Sequence, residues 1–185
     1  MKSFLITLWL SVAGMLLQGL AAEPTPAERK KFVETKAKAD QGNAPAQTYL
    51  GFMYESGSGV VKDEVEAVKW YRKAADQGDA EAQSNLGNMY RTGNGVVKDE
   101  VEAVEWFRKA ADQGYALAQS NLGNMYRTGR GVVKDEVEAY KWYLLSGAQG
   151  DGEAKKWIEI IERVLTPAQR AEGQKIAREW KPRKP

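Results

Sequence analysis

The 185-residue chain contains no cysteine and no histidine. Without thiols there is no cysteine nucleophile, no disulfide and no thiolate metal site. Without imidazole there is no histidine base and no Cys/His zinc centre. An enzyme made from this sequence would have to work with carboxylates, lysine, tyrosine, serine or threonine. It also lacks the Ser-x-x-Lys nucleophile motif. Strong charge of one sign is missing too. The 27 basic and 25 acidic residues leave a formal net charge of +2, which makes no strong field for nucleic acid or an anionic membrane. What remains is ordinary globular composition, 43% hydrophobic and 28% charged, in a chain long enough for one domain with a core.

A long membrane-spanning run is lacking as well. The apolar stretch from Phe4 to about Leu20 is broken by Thr7, Ser11, Gly14 and Gln18 and falls short of a span of ~20 apolar residues. Lys2 precedes it, and Gly19 and Ala21 stand at the minus-three and minus-one places of a cleavage after Ala21. Residues 1–21 therefore read as a secretory signal peptide, with a retained membrane anchor as the competing reading. Cleavage places the mature chain in the periplasm or the secreted space, where the absence of cysteine means it uses no disulfides.

What is abundant is repetition. Trp70, Trp106 and Trp142 stand 36 residues apart, and so do Gly51, Gly87 and Gly123. Gly42, Gly78, Gly114 and Gly150 keep the same step. A period of this size means stacked supersecondary units, none of which can bury its own apolar face alone. One period reads as two helices. In the first, Ala82, Leu86, Met89 and Tyr90 share a face, and Gly87 beside it lets another helix approach. Gly93 in "TGNG" is the expected C-cap. The second helix opens on Asp99 with Glu102 three places on, the pattern of a capping box, repeated at Asp63/Glu66 and Asp135/Glu138. Ala103, Trp106, Phe107, Ala110 and Ala111 form its apolar stripe, and Gly114 ends it.

The segment "AEAQSNLGNMYRTGNGVVKDEVEAVEWFRKAADQG" resembles a Sel-one-like repeat, a relative of the tetratricopeptide repeat with a slightly longer period. Ala82, Leu86, Gly87, Tyr90, Gly93, Gly95, Val96, Asp99, Ala103, Trp106, Ala110, Ala111 and Gly114 carry the resemblance. It implies an all-α fold, a right-handed α/α superhelical solenoid of three 36-residue helix-turn-helix repeats with helical caps, the first helices lining the concave side. It also implies an interaction role, commonly in bacterial envelope proteins. The expected organisation is a signal peptide at 1–21, an N-terminal cap helix (a half-repeat) at 22–43, and repeats at 44–79, 80–115 and 116–151. Capping helices and a basic tail follow at 152–185. Thr25-Pro26-Ala27-Glu28 and Thr166-Pro167-Ala168-Gln169 open cap helices. Leu144 and Leu145 replace Arg108 and Lys109 of the preceding repeat, so the C-terminal helices should cover them through Trp157, Ile158 and Ile161. The "KPRKP" tail is expected to be a solvated end.

Subtracting the packing face of the first helix leaves Glu81, Ser84, Asn85, Asn88 and Arg91, followed one repeat on by Ser120, Asn121, Asn124 and Arg127. Repeat one places Tyr49, Phe52 and Glu55 there. An asparagine can donate to and accept from a peptide backbone, and an arginine can hold a carboxylate bidentately. The pattern is similar to the grooves of tetratricopeptide proteins, where Asn and basic residues hold an extended acidic peptide. Asn85, Asn88, Arg91, Asn121, Asn124, Arg127, Tyr49 and Phe52 are thus the candidate partner-binding residues. Against this stands a blander reading: the asparagines are exposed residues copied by duplication, and Tyr49 and Phe52 pack on the N-terminal cap helix. The "GSG", "GNG" and "GRG" turns follow a helix and no strand, so they are turn chemistry rather than a phosphate cradle. The carboxylates of "KDEVEA" recur in every repeat and serve helix caps and dipoles.

The reading favoured by these observations is a non-enzymatic scaffold for a protein or peptide partner, with no catalytic residue, metal or cofactor and no nucleic acid. Two alternatives stay open. One is a cell-wall or β-lactam-directed hydrolase or binder like the cysteine-rich secreted relatives of the repeat, whose cysteines this chain lacks. The other is a membrane-tethered envelope assembly factor.

Overall fold

The structure, a computed structural model, describes residues 24–183. The signal segment at 1–21 lies outside the described residues. Among the described residues there are nine α-helices and no strand. They are α1 (Pro26–Asp40), α2 (Ala44–Ser56), α3 (Glu64–Asp76), α4 (Ala80–Thr92), α5 (Glu100–Asp112), α6 (Ala116–Thr128), α7 (Glu136–Ala148), α8 (Gly152–Glu162) and α9 (Pro167–Glu179). Each helix from α1 to α7 packs on the next, which makes an α/α solenoid with helical caps. α9 breaks the rule and packs on α7.

Local chemistry explains where the helices begin and end. Asn43, Asp79 and Asp151 cap α2, α4 and α8 by accepting backbone N–H groups, whereas Tyr115, at the same place before α6, makes no side-chain cap bond. Gly93 stops α4 in the left-handed region at φ 81°, and the Met89 carbonyl accepts from both Gly93 and Asn94 N–H. The second glycine of the turn has a different task. A Cβ at Gly95 would stand 2.1 Å from the Glu64 carbonyl oxygen, so this turn is pressed onto the start of the previous repeat's second helix.

The capping boxes expected at Asp63, Asp99 and Asp135 are only half formed. Asp99 Oδ1 accepts from the N–H groups of Val101 and Glu102. Its own N–H is already given to the Tyr90 carbonyl at 2.9 Å. Glu102 has no amide left to reach and accepts the Trp106 indole N–H at 2.8 Å instead. Complete boxes form at Thr25/Glu28 and Thr166/Gln169. In the first, the Thr25 N–H and hydroxyl hold the Glu28 carboxyl below its ordinary range.

The core runs through the repeats as a chain of clusters. Trp106 packs with Tyr71, Leu86 and Met89, and Trp142 with Phe107, Leu122 and Met125. Each tryptophan thus belongs to one repeat and seals the one before it. Burying a leucine or methionine this way contributes roughly 2 kcal/mol. Gly87 lets the Phe107 ring lie on α4, since a Cβ there would meet ring carbons at 2.8 Å.

A polar thread runs beside the apolar one. Gln47, Gln83 and Gln119 are buried and donate to the carbonyls of Ala39, Ala75 and Ala111. Their Oε1 atoms accept from Gln77, Gln113 and Gln149 at 2.6, 2.8 and 2.8 Å. Each of the three repeats is bolted to its predecessor by the same amide clamp, whose buried groups are satisfied as burial requires. The regular 36-residue spacing of these glutamines was the visible clue.

At the C-terminal end Leu144 and Leu145 are half-buried. Leu144 joins the cluster holding Trp157, Ile158 and Ile161 as expected, but Leu145 packs in the cluster that contains Trp180. The described tail residues Lys181, Pro182 and Arg183 are exposed, but the chain just before and within them is anchored. Trp180 meets Trp142 edge-on at 6.3 Å, and the Arg183 N–H donates to the Asp112 carbonyl at 2.7 Å. Residues 180–183 therefore run back across the end of α5 and tie the cap to repeat two.

Candidate partner-binding groove

The packing letters of the first helices recur at a fixed step, so their outward letters form rows. Pro45, Glu81, Leu117 and Glu153 make one row; Tyr49, Asn85, Asn121 and Trp157 the next. Phe52, Asn88, Asn124 and Ile160 follow, and Glu55, Arg91, Arg127 and Arg163 make the last. The fourth member of each row lies on or just after α8. Asp151, Ala154, Ile158 and Ile161 continue the phase of Tyr115, Ala118, Leu122 and Met125, which makes α8 the first helix of a fourth unit. The sequence reading took α8 only for a cap and so missed Trp157, Ile160 and Arg163 as outward residues. The recurring step could have found them.

The candidate residues fall into three groups. Asn85, Asn88, Asn121 and Asn124 are half-exposed along α4 and α6. Asn88 Oδ1 accepts from Arg91 Nε at 3.3 Å and Nη2 at 3.0 Å, which fixes the Arg91 fork across the helix face. Arg127 is not free in the same way: its guanidinium lies 4.0 Å from the centroid of the Trp157 ring, which itself stacks on Tyr143 at 6.3 Å and 17°. Burial pushes the Tyr143 phenol up, and the neighbouring Arg127 pulls part of that back. Tyr49 and Phe52 form the third group. They stack on each other at 6.1 Å and 25°, and Phe52 stays 49% exposed. The cap helix places the Lys31 ammonium 4.8 Å over the Tyr49 ring, while its Phe32 packs on Tyr54.

Two expected outward residues lie elsewhere. Ser84 is fully buried. Its counterpart Ser120 gives a hydrogen bond to the Asp151 carboxylate, the cap of the next unit. Tyr115 stands where that aspartate would serve Ser84, and the Ser84 hydroxyl has no hydrogen-bond partner among the described residues. Glu55 is also engaged, accepting from the Tyr71 hydroxyl at 2.6 Å. Burial and that bond together push the Tyr71 phenol far up.

The groove is polarised. At its repeat-one end, Pro45, Thr48, Tyr49 and Phe52 face Asp79 and Glu81 across a cleft of about 310 Å³. Those two carboxylates are felt nearby: burial first, then Glu81 and Asp79, push the Tyr115 phenol up. At the other end Arg127, Trp157 and Ile160 line a smaller cleft of about 190 Å³. Among the described residues no group of acidic side chains is arranged to hold a metal, and no helix is long and apolar enough to cross a membrane.

Known proteins bear on this arrangement. A Sel1 repeat protein from Oxalobacter formigenes is 43% identical over 65% of this chain and 49% of that one, with a TM-score of 0.63. The antigen c5321 of uropathogenic Escherichia coli, described as protective and as displaying an SLR fold, is 32% identical over 88% of this chain and 42% of that one, with a TM-score of 0.61. The chain thus spans less than half the length of either. No curated protein sequence matches it. The Sel1 repeat pattern matches three times, at residues 44–79, 80–115 and 116–151. Sel1 repeats generally form non-catalytic scaffolds for protein–protein interaction, and this chain belongs to the Sel1 repeat family.

Proposed function

We propose that the protein is a non-enzymatic scaffold that holds an extended segment of a partner protein along the outward face of α2, α4, α6 and α8. The observation that supports this most is the split between rows. The packing positions repeat almost unchanged, whereas the outward rows run Tyr–Asn–Asn–Trp and Phe–Asn–Asn–Ile. The side chains of Asn85, Asn121 and Asn124 make no hydrogen bond within the described chain and so keep donors and acceptors for a peptide backbone. Asn88 and Arg91 hold each other in place and present the guanidinium for a carboxylate.

The place of work we propose is the cell envelope or the secreted space, after cleavage behind Ala21. The N-terminal residue of the protein isolated from its source distinguishes cleavage from a retained anchor. The binding reading is tested by affinity capture from the source organism's envelope extract, with Asn88→Asp/Asn124→Asp alongside. A partner held by the wild type and lost by the variant supports the groove. Equal retention overturns its placement on α4 and α6.

A further inference from the structure

We propose that the repeat-one end of the groove takes a cationic side chain, a lysine or an arginine, from the bound segment. The inference rests on the scaffold reading and gives the partner one specified contact. Three observations converge on the cleft between α2 and the start of α4.

The first is the aromatic pair. Tyr49 and Phe52 stack on one another, with Phe52 half exposed to the cleft's solvent side. The electron-rich faces of such rings attract a cation; the chain's own Lys31 takes that place over Tyr49, which leaves the exposed Phe52 ring for the cation of the bound segment. The second is charge. Asp79 spends one oxygen on the Ala82 N–H at 2.8 Å, and Glu81 is exposed and forms no ion pair among the described residues. Two carboxylates thus border the rings with no ion pair formed to either among the described residues. An acidic side chain would be repelled there, and an apolar one would strip water from the carboxylates without compensation. The third is size: about 310 Å³ accommodates a long, unbranched side chain whose stem lies on the rings while its charged head reaches the carboxylates.

The molecule contains its own control. One repeat further on, the equivalent positions hold Asn85, Asn88, Tyr115 and Leu117. The stacked pair and both carboxylates are gone, so the cation site belongs to repeat one only. A bound segment is thereby oriented, with its basic residue at α2 and the remainder running towards Arg91 and α8.

The test uses isotope-labelled protein expressed from the full sequence, titrated with acetyl-Ala-Ala-Lys-Ala-Ala-amide and with its norleucine and glutamate analogues. The lysine peptide is expected to shift the amide resonances of residues 46–52 and 79–84 and leave those of 116–124 in place. It should bind about tenfold more tightly than the norleucine peptide at low salt, as a partly desolvated cation on aromatic and acidic groups allows. High salt should weaken it, and the glutamate peptide should not bind. Glu81→Gln should remove most of the preference for lysine over norleucine. Tyr49→Asn/Phe52→Asn, which installs the residues the next repeats carry, should abolish binding with the unfolding midpoint kept. Equal binding of the norleucine peptide, or no shift with the lysine peptide, overturns the proposal. Neither result touches the dependence of partner capture on Asn88 and Asn124, so its failure is distinct from failure of the scaffold reading.

Discussion

Repeats two and three share "GNMYRTG" and "GVVKDEVEA" letter for letter, yet they stand in different surroundings. In repeat two the Trp106 ring carries Lys109 at 3.7 Å on its face, and Arg108 reaches the Tyr126 hydroxyl at 2.9 Å. In repeat three those two cations are Leu144 and Leu145, Lys141 takes the place over Trp142 at 4.2 Å, and Trp180 closes its edge. At the other end, Asp79 caps α4 while Tyr115 leaves α6 without a side-chain cap. Most of the shared letters are those that a repeat needs to grip its neighbour, while Asn88 and Arg91 and their copies Asn124 and Arg127 face outward. The letters that differ are set by what the neighbour is: another repeat, or the C-terminal cap.

This comparison can be broken in the shared letters first. A Cβ at Gly131 would stand 2.0 Å from the Glu100 carbonyl oxygen, at a φ of 66°. Gly131→Ala should therefore cost about 3 kcal/mol or more in urea unfolding, strain and overpacking together. Gly150→Ala, at φ 100° with nothing within 4 Å, should cost only about 1 kcal/mol. Next comes the amide clamp. Gln83→Ala leaves the Ala75 carbonyl and Gln113 without their partner and should cost roughly 2 kcal/mol, and Gln119→Ala the same. A double-mutant cycle with Gln113→Ala should show strong coupling, since both side chains make one clamp.

A shared letter in different surroundings gives smaller and opposite effects, because Tyr115 and Asp151 stand beside its two copies. Ser84→Ala should be neutral or stabilising by up to about 1 kcal/mol, because it removes a buried hydroxyl that has no partner among the described residues. Ser120→Ala should destabilise, because it takes a donor from Asp151. The smallest effect is in acid. Burial works against the Asp151 charge, but bonds from Ser146, the Ala154 N–H, Ser120 and the Glu153 N–H outweigh it and hold the carboxyl below its ordinary range. A group depressed in the folded state adds stability above its unfolded value, and that stability is lost as pH falls through the folded one. Asp151→Asn, which keeps an N-cap acceptor, should flatten the fall in stability on the acid side of about pH 4.

Much of the fold was legible because a repeat writes its packing several times. The helix pairs, the glycine C-caps and the approach of α4 to the aromatic ring of α5 all follow from letters recurring at the 36-residue step. Features outside that step were harder to read. The half-formed box at Asp99 depends on the Tyr90 carbonyl, a long-range partner that spacing does not reveal. The return of Trp180 and Arg183 to α5 depends on α9 crossing α7 in place of pairing with α8. Of the candidate site, the asparagine rows were visible, but the engagement of Arg127 by Trp157 was not, because α8 was not recognised as a fourth first helix. Glu81 was visible as an outward residue, but its pairing with Asp79 was hidden for the opposite reason: in sequence both look like ordinary helix-start acids, and only the fold sets them across from Tyr49 and Phe52.

The central claim is that packing letters hold the solenoid and outward letters hold a partner. Its most direct test replaces Asn85, Asn88, Asn121 and Asn124 by alanine together and measures two things on the same protein: the urea midpoint, and retention of the partner captured by the wild type. The prediction is a stability within about 1 kcal/mol of wild type, as expected for exposed sites, with partner retention lost. A variant that unfolds early would show these asparagines to be structural. One that stays folded and keeps its partner would contradict the groove.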